Sequence, residues 1–345
     1  MKLSRLALSS AAIICIASAA ALAAPATYKI VNRIKVPDGR WDYAAVDAVN
    51  NKLYIAQPTG TSVLDLKSGT ISTIASATGG HITLPIPGTD MGIVTQGAPG
   101  VARFVDLKTD KVLVDIPVGK NPDAAAYDPA TKTVYAVNHS GGDAVAIDLK
   151  TLKPIATIPI GGTLEFAVAD GQGKMFINIE DTAEVAVIDT KANKLLTKYK
   201  MADCDGPTGL AYDAGDKLLI AACDGKAKIL RAADGKEVAS LDTAAGADAA
   251  FYDPKTHLAF ITCGSGELDV ISLVDAAKPS VIQKIATQRG ARTGTFDPNT
   301  GLVYMMSSKP AAAPAPGAAA PAPGAAPARA GAMPGSFELI VVGPG

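Results

Sequence analysis

The chain has 345 residues, 48% hydrophobic and 19% charged, which supplies a large core and excludes a disordered or solvating polymer. With 32 Lys and Arg against 33 Asp and Glu the formal charge is −1. That balance disfavours nucleic acid as a partner, because binding to a phosphate backbone rests on clustered cations.

At the start of the chain, Lys2 and Arg5 precede an apolar run from Leu6 to about Ala20, followed by Ala21-Leu22-Ala23 with the small residues a signal peptidase needs. The expectation is a secretory signal over residues 1–23, removed after Ala23 or Ala24. As a membrane anchor the run is short, carries Ser9, Ser10 and Ser18, and leads straight into a predicted strand. Cys15 follows Ile14, where lipid attachment wants a small residue. A periplasmic or secreted location follows, with no membrane span after cleavage. Losing Lys2 and Arg5 leaves 30 basic residues against 33 acidic ones, a charge of −3. In an oxidising compartment Cys204, Cys223 and Cys263 allow one disulfide and leave one thiol over.

From Tyr28 onward a repeat governs the chain. A short apolar strand ending in Asp, often followed by Pro, recurs as YAAVD, AAAYDP, FAVADG, TGLAYD, AAFYDP and TGTFDP, ending at Asp47, Asp128, Asp170, Asp213, Asp253 and Asp297. The intervals are 81, 42, 43, 40 and 44 residues, and the first hides one further unit at Ile82 to Gly88, making seven. Each unit continues with a second strand such as KLYIAQ, TVYAVN or LAFITC, and a third that often ends in Asp-Leu-Lys-Thr, as in VARFVDLKT and AVAIDLKT. A polar-alternating outer strand such as KPIATIPIG follows. Four short strands bounded by Gly, Asp and Pro form one antiparallel blade, and blades bury their faces only by stacking into a ring.

The fold class expected is therefore all-β, a single seven-bladed β-propeller over residues 28–342. Its last unit offers only TGTFDP, LVYMMS and SFELIVV, and the missing outer strand is YKIVNRIKV, Tyr28 to Val36. The N-terminal strand should thus close blade seven. Residues 309–335, almost wholly Pro, Ala and Gly, cannot build a core and are expected as a disordered loop inserted in that blade.

The segments VYAVN (Val134 to Asn138), AVAIDLKT and PIATIPIG (Pro154 to Gly161), in that order, resemble the YVTN-type β-propeller repeat and the YncE-like family of exported bacterial proteins. LLIAAC and LAFITC depart from the repeat consensus, and blade two lacks the Asp-Pro turn. The resemblance implies a seven-bladed ring and a periplasmic address. It implies no reaction, since propellers carry many unrelated functions.

In a propeller the first strand of each blade lines the central channel, and the residue entering it stands at the channel mouth. Counting five places back from the strand-ending Asp gives Asp42, Asp123, Glu165, Thr208, Asp248 and Arg292, with His81 from blade two. Six of these seven stations are ionisable, which makes them candidate ligand-binding residues; the plainer alternative is turn capping, with Arg292 paired to Asp248 or Asp42. His81, Asp123 and Glu165 offer imidazole and carboxylates to a divalent metal, or a general acid and base. A second polar ring is offered by the second-strand ends, Gln57, Gln96, Asn138, Cys223, Cys263 and Ser307, with His139 just beyond; ordinary turn chemistry is its alternative. Trp41 and Tyr43 flank Asp42 as a stacking surface or as packing, and His257 falls in a turn on the opposite face.

Cys204 precedes the first strand of blade five and Cys223 ends its second, so the two reach one face and are expected to form the disulfide. Cys263, one blade on, is expected free and buried. No Gly-x-Ser-x-Gly elbow, helix-spaced metal pair or phosphate-cradling loop is present. The leading expectation is therefore a binding or interaction module holding a small molecule, an ion or a protein segment over the channel mouth. The alternative is a metal-assisted hydrolase or lactonase-like enzyme built on the same polar ring.

Overall fold

The computed structural model describes residues 27–310 and 332–345; the expected signal, 1–23, lies outside the described residues, as does 311–331 of the Pro/Ala-rich stretch. Among the described residues, 28 strands fall into seven four-stranded antiparallel sheets. Six sheets take their strands in strict sequence order, beginning with β2 (Ala44–Asp47), β3 (Lys52–Gln57), β4 (Gly60–Asp65) and β5 (Ile71–Ile74) in blade one. No helix among the described residues is long and apolar enough to cross a membrane.

Two kinds of Asp turn recur around the ring. The Asp ending a first strand accepts backbone N–H groups from the residues just after it: Asp47 Oδ1 takes those of Val49 and Asn50, each at 3.0 Å. The Asp ending a third strand does the same, as where Asp106 Oδ1 accepts from Lys108 and Thr109 at 2.9 and 2.8 Å. Asp suits this place because its short carboxylate reaches two residues forward without unfolding the strand, and each bond contributes about 1 kcal/mol. Four places past the first-strand Asp the backbone turns left-handed, at Asn51, Lys132, Lys217 and His257, with φ of 54° to 57°. His257 thus holds a turn position on the face away from the channel mouth.

Seven buried apolar clusters fill the seven seams between neighbouring blades. At the seam of blades seven and one, Leu53, Leu64, Tyr304, Met306 and Phe337 interleave. Trp41 stacks on Phe337 with ring centroids 4.6 Å apart, so it packs this seam rather than facing a ligand.

Blade seven is β26 (Gly294–Asp297), β27 (Leu302–Ser307), β28 (Glu338–Pro344) and then β1 (Tyr28–Lys35), which pairs antiparallel with β28 from Tyr28↔Pro344 to Lys35↔Glu338. Tyr28 is buried against Phe260, and its backbone is clamped by Gln283 of blade six, whose Oε1 accepts from Tyr28 N at 2.8 Å while Nε2 donates to Tyr28 O at 2.6 Å. The Pro/Ala-rich stretch leaves between β27 and β28. Its two ends are held side by side by a bridge between Pro310 and Ala332 and by Met333 N donating to Lys309 O at 2.8 Å.

The second-strand ends do not form a polar ring open to the mouth. Gln57, Gln96 and Asn138 are buried and donate to Pro37 O, Thr78 O and Val118 O at 3.2, 2.5 and 2.6 Å. Each amide thereby holds the loop leading into its own blade, so turn chemistry accounts for them. In blade five the same task is done covalently, since Cys223 is bonded to Cys204 in the entering loop with Cα atoms 5.3 Å apart. Cys263 occupies the same register in blade six as a free, buried thiol whose pKa burial pushes up to about 12, which keeps it protonated. Reduction, or Cys223→Ser, is expected to cost about 3 kcal/mol for a loop of this length, read as a lowered denaturant midpoint, with an m-value that rises because the unfolded chain expands without the cross-link.

Candidate functional site

Three first strands, those of blades three, four and six, bulge where they enter the channel. Register shifts fall between Pro122 and Ala124, Leu164 and Ala167, and Ala247 and Ala249, so Asp123, Glu165 and Asp248 all sit in bulges. A bulge frees its residue from the ladder and re-aims the side chain, here towards the axis. Side chains of alternate blades hold the backbone of three stations: Thr95 Oγ1 donates to Asp123 O at 2.8 Å, Asn178 Nδ2 to Thr208 O at 3.0 Å, and Thr262 Oγ1 to Arg292 O. Each lies one place before the end of a second strand.

Around the axis the stations separate into linked groups. His81 Nδ1 lies 2.7 Å from Asp42 Oδ2 and 3.0 Å from Asp123 Oδ1. Both neighbours are carboxylates, so Nδ1 carries the proton, and the bond to Asp42 raises the His81 pKa despite burial. Beside them, His139 Nδ1 stands 3.0 Å from Leu164 O and 3.2 Å from Glu165 Oε1. A carbonyl only accepts, so here too Nδ1–H donates and Nε2 keeps its lone pair. Two sets of three residues each bring one ligand atom within 4.8 Å of the others: Asp42, His81 and Asp123, and His139, Glu165 and Glu180. Glu165 thus falls in the second set rather than with His81 and Asp123.

Tyr43 joins the two sets. Its hydroxyl donates to Glu165 Oε2 at 3.1 Å, and burial, with the charges of Asp123, Glu165, Asp42 and Asp248, holds its pKa well above the ordinary value. Burial and the nearby Asp123 and Glu180 charges push Glu165 up to about 8, and burial with Asp42 lifts Asp123 to about 6. Asp248 is raised as well, chiefly by burial, with Arg292 Nε 3.6 Å away pulling it back. Thr208 is committed elsewhere, its hydroxyl donating to Ala247 O at 3.3 Å.

Behind Tyr43 the channel turns apolar. A cavity of about 220 Å³ is lined by the Tyr43 ring with Ile82, Leu84, Phe166, Phe251 and Phe296. Tyr43 therefore separates an acidic mouth from a hydrophobic chamber. A larger groove of about 410 Å³ lies between blades four and five, where Lys174, Lys191 and Lys217 offset Asp170 and Asp189. No set of groups there matches the convergence at the mouth.

The stations named from sequence all stand where the first strands enter the channel, but Tyr43 and Glu180 were not among them. Glu180 follows the second strand of blade four, in the register of His139 in blade three, so the step that found His139 finds it too.

No protein-family model matches the chain, and no curated protein sequence matches it. Solved structures do. A chain in the crystal structure of the mitotic checkpoint complex superposes with a TM-score of 0.71 at 13% identity, over 88% of this chain and 95% of that one. A chain of Kuenenia stuttgartiensis hydrazine synthase gives 0.53 at 16% identity, over 66% of this chain and 76% of that one. At such identities the likeness is one of fold, and this chain is a seven-bladed β-propeller closed by its N-terminal strand.

Proposed function

We propose that the protein is an exported binding module whose channel mouth holds a cation, with a divalent metal ion as the best fit. The observation that carries this is the convergence of Asp42, Asp123, Glu165, Glu180 and Asp248 on two histidines and one arginine, around the Tyr43 hydroxyl. Carboxylates crowded in a partly dry site hold protons above their ordinary range, and a cation takes the place of those protons. Both histidines have Nδ1–H turned to an oxygen acceptor. Asp42 and Asp123 lie against His81 Nδ1, and Glu165 against His139 Nδ1, so an ion shared with these carboxylates would replace the Nδ1 proton. Export is supported by the N-terminal sequence pattern and by the resemblance to the YVTN-type repeat.

The test is a thermal-shift and stoichiometry series with Mn²⁺, Ni²⁺ and Zn²⁺ on the full mature chain. Wild type is expected to melt several degrees higher with metal, and His81→Ala and Asp123→Asn to weaken that binding by about 10- to 100-fold. A metal response unchanged in both variants would sink this reading.

The spread between Asp123, at about 6, and Glu165, at about 8, favours a second reading in which a metal-assisted hydrolase uses one as base and the other as acid. It requires metal-dependent turnover of an ester or lactone that is lost in Glu165→Gln. Binding without turnover leaves the module.

A further inference from the structure

A second site stands on the opposite face, at the turn where blade five meets blade six. Five first strands end in an Asp whose Oδ1 accepts backbone N–H groups. In four of these turns the other oxygen is satisfied by the side chain three places on: Asn50 Nδ2 donates to Asp47 Oδ2 at 2.7 Å, Thr131 to Asp128 at 2.9 Å, Thr256 to Asp253 at 2.8 Å, and Thr300 to Asp297 at 2.6 Å. In blade five that place holds Asp216, an acid with no proton to donate near neutral pH. Asp213 Oδ1 accepts from Gly215 N and Asp216 N at 2.8 and 3.3 Å, but Oδ2 is buried with no partner, in a residue only 1% exposed.

A buried carboxylate oxygen facing a second carboxylate is costly without a positive charge between them. The left-handed turn of blade six supplies a third group, because Asp213, Asp216 and His257 each offer a ligand atom within 4.8 Å of the others. His257 Nδ1 lies 3.1 Å from the Tyr252 hydroxyl, which leaves Nε2 for a metal.

We propose that Asp213, Asp216 and His257 form a divalent-metal site that ties blade five to blade six, independent of the mouth. Two carboxylates and one imidazole, with the fourth position open to water, suit Zn²⁺ better than Ca²⁺ or Mg²⁺, which prefer all-oxygen shells. The competing donor is the Tyr252 hydroxyl, whose pKa burial and Asp213 both raise. Swung towards Asp213, it would satisfy Oδ2 with no metal.

The decisive background is His81→Ala, which removes the histidine of the mouth's first ligand set. Zn²⁺ titration of that variant, followed calorimetrically for stoichiometry and by thermal shift, is expected to retain an equivalent that depends on Asp216 and His257. Adding Asp216→Thr restores the donor found in the other blades. The double variant should melt higher than His81→Ala without metal, bind Zn²⁺ at least tenfold more weakly, and lose the Zn²⁺-dependent rise; His257→Ala should lose that rise without the metal-free gain. Zn²⁺ affinity and thermal shift unchanged by Asp216→Thr would overturn the site, whatever the mouth does. So would a His81→Ala protein that binds no Zn²⁺, and a loss of metal-free stability in Tyr252→Phe would then assign Oδ2 to the tyrosine.

Discussion

Glu165→Gln is expected to stabilise the cation-free protein above about pH 8 and to weaken cation binding at the mouth. In the folded state Glu165 titrates at about 8, against 4.5 for an ordinary glutamate, because burial and the carboxylates of Asp123 and Glu180 oppose its charge. Between those values the folded protein keeps a proton that the unfolded chain has released. Stability therefore falls as pH rises through this window, and is greatest below the unfolded value. A shift of this size corresponds to roughly 5 kcal/mol lost between about pH 4 and pH 9, taking each pKa unit as about 1.4 kcal/mol. Asp123, at about 6, adds to the same slope, and so does His81, whose raised pKa makes its contribution complete below the ordinary value and lost above the folded one. Glutamine keeps an acceptor for the Tyr43 hydroxyl and cannot ionise. Urea midpoints measured across pH 5 to 9 should thus fall steeply in wild type and less in the variant. Equal slopes would show that the Glu165 carboxyl is not held neutral.

The same substitution removes a carboxylate from the His139, Glu165 and Glu180 set, so the gain in stability should come with a weaker metal response. A site that costs stability when empty and recovers it when filled is the signature expected of binding rather than packing. If Glu165→Gln raised stability and left metal affinity untouched, the second set would be structural, and the cation would belong to Asp42, His81 and Asp123 alone.

The repeat was legible because Asp has one physical task at each blade turn, and its spacing survives where strand sequences drift. The mouth stations were legible for the same reason, being a fixed distance from that Asp. What their register could not supply was direction. Bulges at Asp123, Glu165 and Asp248 break the two-residue alternation, so parity along the strand no longer says which side chain enters the channel. Tyr43 illustrates the loss: beside Asp42 in sequence, it reaches across the axis to blade four. Gln57, Gln96 and Asn138 illustrate the reverse, polar residues at a promising register whose side chains are consumed by backbone carbonyls. Trp41 depends on a partner, Phe337, that only ring closure brings near.

Deleting residues 28–36 is expected to have the largest effect of any change considered, because it removes an edge strand and a seam together. The loss strips Tyr28 from its pocket against Phe260, which by itself is worth about 3 to 5 kcal/mol for a buried aromatic, and leaves β28 as an open apolar edge. With total stability of roughly 5 to 15 kcal/mol for a folded domain, the truncated chain should aggregate or unfold without a cooperative transition. The two ends of the chain allow a stricter test. Gly345 N donates to Thr27 O at 2.6 Å, and Tyr28 pairs with Pro344, so β28 runs directly up to the start of β1. In blades one to four the third and fourth strands are joined there by a short Asp turn, as between Asp106 and Lys111. Moving residues 28–36 to follow Pro344 through an Asp-Leu-Lys-Thr turn should therefore restore a single cooperative melt near that of wild type. Blade seven would then be continuous, like the other six. A relocated strand that failed to rescue would mean that closure depends on residues before Tyr28 rather than on the strand itself.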